Sequence, residues 1–184
     1  TAIPVPADNS VGTLQQWQLN TYSSAPDQLR QRMIYALSQI IVVSANKNIY
    51  ADAMLQWMNA LSLHAFGNYR NLLRDVTTSS SMGKYLDLAN STKPSAGGGA
   101  NENYPREFMQ LFTIGLWQLN PDGSWKLDAN GAPMPTYTQN DVAQMARALT
   151  GWVYAQPPGG QAYEWHGAPM VSKAANHDTG SKTI

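Results

Sequence analysis

The chain has 184 residues, of which 43% are hydrophobic and 13% charged, and its 12 basic side chains balance its 12 acidic ones. This neutrality excludes a broad electrostatic surface for nucleic acid and favours a neutral partner, such as a glycan or another cell-envelope polymer. The absence of cysteine excludes disulfides, thiolate metal ligands and a cysteine nucleophile. The length predicts one domain, and the first residue, Thr1, indicates a processed protein or a fragment of a longer one.

Helical periodicity dominates the first half of the chain. Ser24 and Asp27 have the spacing of a capping box, which predicts a central, almost wholly apolar helix over residues 24–44. The longest apolar run, residues 33–45, is too short to span a bilayer, so no transmembrane segment is predicted. Two further helices are predicted over residues 50–65 and 68–79, and the second is continued by a short turn around residues 82–88.

A flexible glycine-rich loop, residues 91–100, leads into a helix that is polar at its start and apolar on its opposite side. Asn103 is the predicted N-cap of this helix, and Pro105 lies in the first turn, where its missing N–H group is tolerated. The residues predicted to face the core are Phe108, Leu111 and Phe112.

Turn sequences mark the next segment. Asn-Pro-Asp-Gly and Asp-Ala-Asn-Gly, within residues 120–131, flank short runs containing Trp and Leu and predict a small β-hairpin excursion around residues 116–136. Thr138 and Asp141 form a capping box that begins another helix, and the Gly- and Pro-rich tail after Trp152 is predicted to be irregular. The expected fold is therefore mainly α, a single helical domain with this hairpin excursion and an irregular C-terminal tail.

The polar start of the 103–112 helix has two interpretations. In the simpler one, Arg106 pairs with Glu102 one turn back and the residues only cap a helix. In the other, they line a polar cleft in which partial burial suits Glu107 to acid–base catalysis. Arg147, six residues after Asp141, shares no helix face with it, so Glu102 or Glu107 is the predicted partner of Arg147.

The tail offers a base, an acid and a cation in His177, Asp178 and Lys182. With His166, eleven residues before His177, these side chains are a weak candidate for a metal site, because their spacing matches no short motif such as H-E-x-x-H. No cofactor is predicted. The sequence also lacks G-x-S-x-G, a P-loop and G-x-G-x-x-G, which removes the usual patterns of serine hydrolases and nucleotide-binding proteins.

Four phrases together resemble one known family. They are HAFGNYRNLLRDVTTSSSMGKYLD, NENYPREFMQLFTIGL, YTQNDVAQMARALTGW and HDTGSKT. In order and spacing, residues 27–184 resemble the middle portion of the bacterial family catalogued as domain of unknown function 1800. The resemblance implies a mainly helical fold and an extracytoplasmic location, periplasmic or secreted, because family members are longer and usually exported. It implies no established activity.

The family pattern carries over to the following positions: Asn101, Glu102, Asn103, Arg106, Glu107, Asp141, Arg147, Thr150, Gly151, Trp152, His177, Asp178 and Lys182. Pro105 departs from the pattern, which usually has alanine there, and we expect the helix start to shift by about one residue. A histidine-bearing family phrase is also missing where ALSQIIVVS stands, so no metal site can be built from it here.

Three functions are compatible with these residues. The leading hypothesis is a hydrolase or lyase acting on a polymer such as a polysaccharide, since two carboxylates suffice for glycosidic cleavage. The proposed catalytic residues are Glu107, Glu102, His177 and Asp178. The proposed substrate-binding residues are Asn101, Asn103, Arg106, Asp141, Arg147, Trp152 and Lys182. The alternatives are a domain that binds a glycan or envelope partner without chemistry, and a polar network that is purely structural.

Overall fold

The structure is a computed structural model that describes Ile3 and residues 6–160 and 164–184. The described residues are mainly helical, which confirms the predicted fold class. The seven α-helices within these residues are α1 (Val11–Ser24), α2 (Gln28–Ile40), α3 (Ala51–Leu63), α4 (Tyr69–Thr78), α5 (Ser80–Tyr85), α6 (Asn103–Glu107) and α7 (Gln139–Ala148). A π-helical turn, Phe108–Phe112, continues α6, and a 3-10 turn covers Ala174–Asn176.

Helix α3 occupies the centre of the core, and α1, α2, α4 and α5 pack around it. Most of its side chains are buried, including Leu55, Trp57 and Leu61. Each large apolar side chain buried in this way contributes about 1.5–3 kcal/mol to folding. The indole N–H of Trp57 donates to the carbonyl of Ile41 at 2.8 Å, so the one polar atom of this ring is satisfied inside the core.

The helix predicted over residues 24–44 is present as α2, but it is shorter at both ends, and the predicted capping box is wrong. Ser24 is the last residue of α1, and Asp27 precedes α2 without forming a side-chain cap. The predicted central position of α2 is also wrong: Leu29 is exposed, whereas Ile34 is buried. Helix α2 carries Gln and Arg side chains along its length and is less apolar than predicted, and the more apolar α3 takes the central place.

The start of α6 differs from the prediction by one residue. Glu102 holds the N-cap position, without a side-chain cap, and Asn103 is the first helical residue. The π-helical turn then widens the helix, with the N–H of Ile114 bonded to the carbonyl of Met109 at 3.1 Å. This change of register buries Met109 and exposes Leu111, which had been predicted to face the core.

The predicted β-hairpin excursion around residues 116–136 is present. Backbone hydrogen bonds link its three short segments, with Lys126 N–H donating to Gln118 at 2.8 Å and Met134 N–H to Lys126 at 2.9 Å. We call residues 116–136 the arm. Its antiparallel bridges join Trp117 to Pro135, Leu119 to Trp125 and Leu127 to Pro133.

The tail after Trp152 carries more regular structure than the prediction of an irregular segment implied. Strands β1 (Trp152–Val153) and β2 (Val171–Ser172) pair antiparallel, and the remaining described parts of the tail are largely irregular. The predicted irregular segment also includes residues 161–163, which lie outside the described residues. None of the helices in the described part of the chain has the length and apolar character that crossing a bilayer needs.

Candidate functional site

Helix α7 begins with the capping box predicted from the sequence. The carboxylate of Asp141 accepts the backbone N–H of Thr138 at 2.7 Å, and the Thr138 hydroxyl accepts the N–H of Asp141 at 3.3 Å. The hydrogen bonds that the carboxylate accepts from Thr138, first from the backbone N–H and then from the hydroxyl at 2.8 Å, lower the pKa of the Asp141 carboxyl. Asp141 therefore caps a helix, and its partly exposed carboxylate satisfies the helix end.

A polar cluster joins the first turn of α7 to α6. Arg106 donates to Glu102 at 2.8 Å, as the simpler interpretation predicted, and also to the side-chain oxygen of Gln139 at 3.0 Å. Gln139 in turn donates to Glu102 at 2.8 Å. These three residues form the Glu102 cluster, which fixes two helices against each other. Its partly exposed ion pair contributes about 0.3–0.5 kcal/mol.

The other site residues predicted in this region, Asn101, Asn103 and Glu107, differ in their hydrogen bonding. Asn101 accepts the backbone N–H of Asn103 at 2.9 Å, and the Asn103 side chain donates to Asp87 at 3.0 Å. Glu107 is half-buried, and its side chain makes no hydrogen bond or ion pair within the described residues. Among the carboxylates proposed as catalytic from the sequence, Glu107 is thus the one whose charge the described fold leaves uncompensated.

Arg147 contacts the tail, so the predicted pairing with Glu102 or Glu107 is wrong. Its guanidinium donates to both carboxylate oxygens of Asp178, at 2.6 and 3.2 Å. Arg147 lies eight residues after Gln139, about 12 Å further along α7 at 1.5 Å per residue, which places it beyond the Glu102 cluster. Sequence spacing did not indicate this partner, because 31 residues separate the paired side chains.

Several neighbouring groups stabilise the ionised carboxylate of Asp178 and fix its backbone. The guanidinium of Arg147, the N–H of Gly180 and the charge of Lys182 hold the pKa of the Asp178 carboxyl well below its usual range, against a smaller opposing effect of burial. Its own backbone N–H donates to the Thr150 hydroxyl at 2.9 Å, and Lys182 donates to its carbonyl. A carboxylate stabilised in this way stays ionised at neutral pH and does not serve as a proton donor.

His177 lies beside this ion pair in a defined tautomer. Its Nδ1 is 2.8 Å from the carbonyl oxygen of Thr150, which can only accept, so Nδ1 carries the proton. In the neutral ring Nε2 is then the basic nitrogen. His177 and Trp152 line a cavity of about 320 Å³, together with Gly151, Ser172 and Lys173.

A second, more polar cavity of about 590 Å³ lies on the other side of Lys173, which lines both. We call the two cavities together the tail groove. The second cavity is lined by Asn90, Tyr154, Gln156, Glu164, Lys173 and Asn176, with Val153 and Ala155. None of these polar residues was singled out from the sequence, since each comes from a segment without a recognisable motif.

Three side-chain amides of the tail groove are free of internal partners. The side chains of Asn90, Gln156 and Asn176 make no hydrogen bond within the described part of the chain, although the backbone around two of them is fixed. The N–H of Asn90 donates to the Trp152 carbonyl at 2.7 Å, and the carbonyl of Asn176 accepts the N–H of Lys93 at 2.7 Å. The groove therefore presents donors and acceptors on an ordered backbone.

Glu164 contributes an ion-paired carboxylate to the wall of the same cavity. Lys84 donates to both of its oxygens at 2.8 Å. Burial raises the pKa of Glu164, but the hydrogen bonds from Lys84 and Tyr154 outweigh it, so the pKa is lowered overall. Burial first, and then this carboxylate, raise the pKa of Tyr154. Glu164 is thus ionised and paired, and Tyr154 keeps its proton.

His166 is buried next to Glu164. It is 5% exposed, its Nε2 makes no hydrogen bond within the described residues, and that atom lies 3.5 Å from a Glu164 oxygen. The ring of Tyr154 packs edge-on against it. His166 therefore belongs with Glu164, whereas His177 and Asp178 belong with Thr150 and Arg147. Over residues 6–160 and 164–184, no three His, Asp or Glu side chains are grouped to hold a metal ion.

The residues predicted to form one site fall into two groups at opposite ends of α7. Glu102 and Arg106 meet Gln139 near its first turn, whereas Arg147 meets Asp178 near its last. Within the described residues no hydrogen bond or ion pair joins these two groups. The tail groove adjoins the second group, because His177 and Trp152 form part of its wall.

The comparisons with known proteins give a family and no activity. No curated protein and no solved structure matches the chain. One family model, described as "Protein of unknown function (DUF1800)", matches residues 4–184, nearly the whole length and more than the resemblance over residues 27–184 indicated. The chain therefore belongs to the DUF1800 family.

Proposed function

We propose that the tail groove binds a polar polymer such as a glycan or another component of the cell envelope. The observation that carries this proposal is the set of three amide side chains, on Asn90, Gln156 and Asn176, that line one cavity and have no hydrogen-bond partner among the described residues. A side-chain amide both donates and accepts, which suits the hydroxyl groups of a sugar. Cavities of about 320 and 590 Å³ lie within the usual range for small-molecule sites.

Aromatic side chains support the same assignment. Trp152 lines the smaller cavity and Tyr154 the larger one, so an apolar ring accompanies the polar groups on each side of Lys173. Rings of this kind combine a large apolar face with one polar edge and suit the C–H faces of a pyranose. Hydrogen-bonding amides and aromatic faces together favour a saccharide over a purely apolar ligand.

The remaining charged residues are better explained by structure than by chemistry. Asp141 caps α7, Arg106 joins Glu102 to Gln139, and Arg147 joins α7 to the tail. Of these contacts, the pair of Arg147 and Asp178 positions the tail that forms the groove. Binding therefore accounts for more of these observations than catalysis by these carboxylates does.

Affinity electrophoresis and calorimetry against a panel of plant and bacterial polysaccharides test the proposal. The variant is the double substitution Asn90→Ala and Asn176→Ala, and the control is Asn71→Ala, an exposed amide on α4 outside the groove. At about 1 kcal/mol per hydrogen bond, each substitution weakens binding about fivefold, and together more than tenfold. Equal affinity of the double variant and the control, or no binding of any polymer, contradicts the proposal.

A second candidate is hydrolysis or elimination on the same polymer. One observation favours it: Nδ1 of His177 is committed to the Thr150 carbonyl, which leaves Nε2 as a base on the wall of the groove. Release of reducing ends from the polymer panel tests this candidate. Loss of release in His177→Asn assigns the reaction to the groove, and loss in Glu107→Gln assigns it to the start of α6. No release by the unsubstituted chain removes the enzyme hypothesis.

An extracytoplasmic location, periplasmic or secreted, is part of this proposal. The family resemblance supports it, as does a surface that relies on amides and hydroxyls with 13% charged residues. Fractionation of cells that express the protein from its natural gene is the test. Recovery with the cytoplasmic fraction contradicts this location.

A further inference from the structure

We infer that the tail groove selects acidic glycans, such as polymers of uronic acids, because unpaired lysines place a local positive charge on a chain with no net charge. This inference rests on the proposed function and specifies its ligand class. An acidic glycan replaces the neutral glycan that was predicted from the overall charge. The overall charge is an average over surface regions whose local charges differ.

The acidic groups around the groove are already neutralised. Glu164 lies against Lys84 at 2.8 Å, and Asp87, which acts on Tyr154 from nearby, pairs with Lys47 at 2.6 Å. Each of these carboxylates has a cation in contact, so neither presents a free negative charge to a ligand.

The negative charge of Asp178, which lies next to His177 of the smaller cavity, is outweighed by the positive charges around it. Arg147 lies 2.6 Å from its carboxylate and Lys182 lies 3.7 Å away. Two cations around one carboxylate leave a net positive charge beside His177. This surplus reinforces the positive potential of the groove.

Two further lysines at the groove have no acidic partner in the described part of the chain. Lys173 lines both cavities, and its backbone N–H donates to the Gly151 carbonyl at 2.7 Å. The N–H of Lys93 donates to the carbonyl of Asn176, one of the residues with a free amide, at 2.7 Å. Both backbones are anchored beside the groove, Lys173 on its wall and Lys93 next to Asn176, and both side chains are exposed and available to an anionic ligand.

This arrangement fits a carboxylate on a sugar better than it fits the other polyanions. A uronate offers one charge per residue among several hydroxyls, and the groove offers a few cations among several amides. Binding of nucleic acid usually needs a wider basic surface that neutralises many phosphates, and this chain carries only 12 basic residues against 12 acidic ones.

Calorimetry with two polymers of the same backbone tests the inference. Oligogalacturonate carries a carboxylate on each sugar, and its carboxyl-reduced form is the neutral counterpart. We expect the 184-residue chain to bind the acidic form about fivefold to tenfold more tightly in low salt, and the preference to shrink as salt is added.

Lys173→Gln is the informative variant, with Lys126→Gln, an exposed lysine on the arm, as its control. Removing one exposed ion pair weakens binding of the acidic form about threefold to fivefold and leaves the reduced form unchanged. Lys126→Gln changes neither affinity.

Failure of this inference and failure of the proposed function give different results. Equal binding of both polymers, lost in the Asn90→Ala, Asn176→Ala variant, overturns the acidic preference and leaves the proposed function standing. No binding of either polymer, or of any other glycan on the panel, overturns both. If single-stranded DNA of matched charge displaces oligogalacturonate with equal affinity, the groove attracts any polyanion and the specific inference is overturned.

Discussion

Replacing Gly151 by alanine tests how closely the end of α7 packs against the tail. Gly151 has φ of +95°, and a Cβ placed there would lie 2.9 Å from Cβ of His177 and 3.2 Å from its Cα and N. Rotating a side chain cannot relieve these contacts, because they involve the backbone of His177. Gly151 is itself fixed, since it bonds to Ser91 at 2.9 Å and to Lys173 at 2.7 Å.

The expected loss of stability in Gly151→Ala has two parts. A residue with a Cβ at positive φ costs about 1–2 kcal/mol, and overpacking against an immobile neighbour costs about 1–3 kcal/mol more. We therefore expect Gly151→Ala to lower the free energy of unfolding by about 2–5 kcal/mol. For a chain of this size that corresponds to about 5–15 °C in melting temperature.

Gly131→Ala is the matched control. Gly131 has φ of +79° in a turn of the arm, and nothing lies within 4 Å of the position that a Cβ would take there. This variant bears only the conformational cost of about 1–2 kcal/mol. Urea unfolding of both variants gives the difference that belongs to His177. Equal losses in the two variants would refute the close packing of Gly151 on the tail.

Three further predictions concern the two ends of α7 and the start of α6. Thr138→Ala removes a side-chain cap and should lower the free energy of unfolding by about 1 kcal/mol in urea titrations; no measurable loss would mean that the capping box contributes nothing. Because the pKa of Asp178 is lowered by Arg147 from its ordinary 3.8, its contribution is complete above that value and is lost as pH falls through the lower folded value. The melting-temperature gap between the unsubstituted chain and Asp178→Asn should therefore be constant from about pH 7 to pH 5 and narrow progressively as pH falls below about 4, and a gap that does not narrow in stronger acid is inconsistent with this ion pair. Glu107→Gln should change the free energy of unfolding by less than about 1 kcal/mol, since Glu107 has no partner in the described residues, and a large thermal shift would instead make it a structural residue.

Local contacts were predictable because the residues that make them are close in sequence. The capping box of Thr138 and Asp141 spans three residues, and the pair of Glu102 and Arg106 spans four. The turns of the arm also depend on adjacent residues. In these cases the spacing predicts the geometry and the structure agrees, whereas the same capping-box spacing at Ser24 and Asp27 forms no cap.

Contacts between distant segments were not predictable in the same way. Arg147 reaches Asp178 because the tail returns past the end of α7, and nothing near either residue indicates that path. Helix α1 was not predicted because its buried face is sparse, with Leu14 its one fully buried residue. The exposure of Leu111 follows from a π-helical turn, a local widening that the apolar spacing does not encode.

The tail groove illustrates the same limit at the level of function. Sequence reasoning selected charged residues within recognisable phrases, and the structure uses several of them for caps and ion pairs. The free amides of Asn90, Gln156 and Asn176 lie in three separate segments and carry no motif. They become a candidate site only when the tail packs beside residues 88–93.

The central claim is that the free amides of the tail groove contact a glycan. Nuclear magnetic resonance of the side-chain amide groups tests it most directly, during titration with an oligosaccharide that the chain binds. The account predicts that the signals of Asn90, Gln156 and Asn176 shift together, while that of Asn120, which bonds within the arm, stays in place. Shifts confined to the arm or to the first two helices, with the three groove amides unchanged, would contradict it.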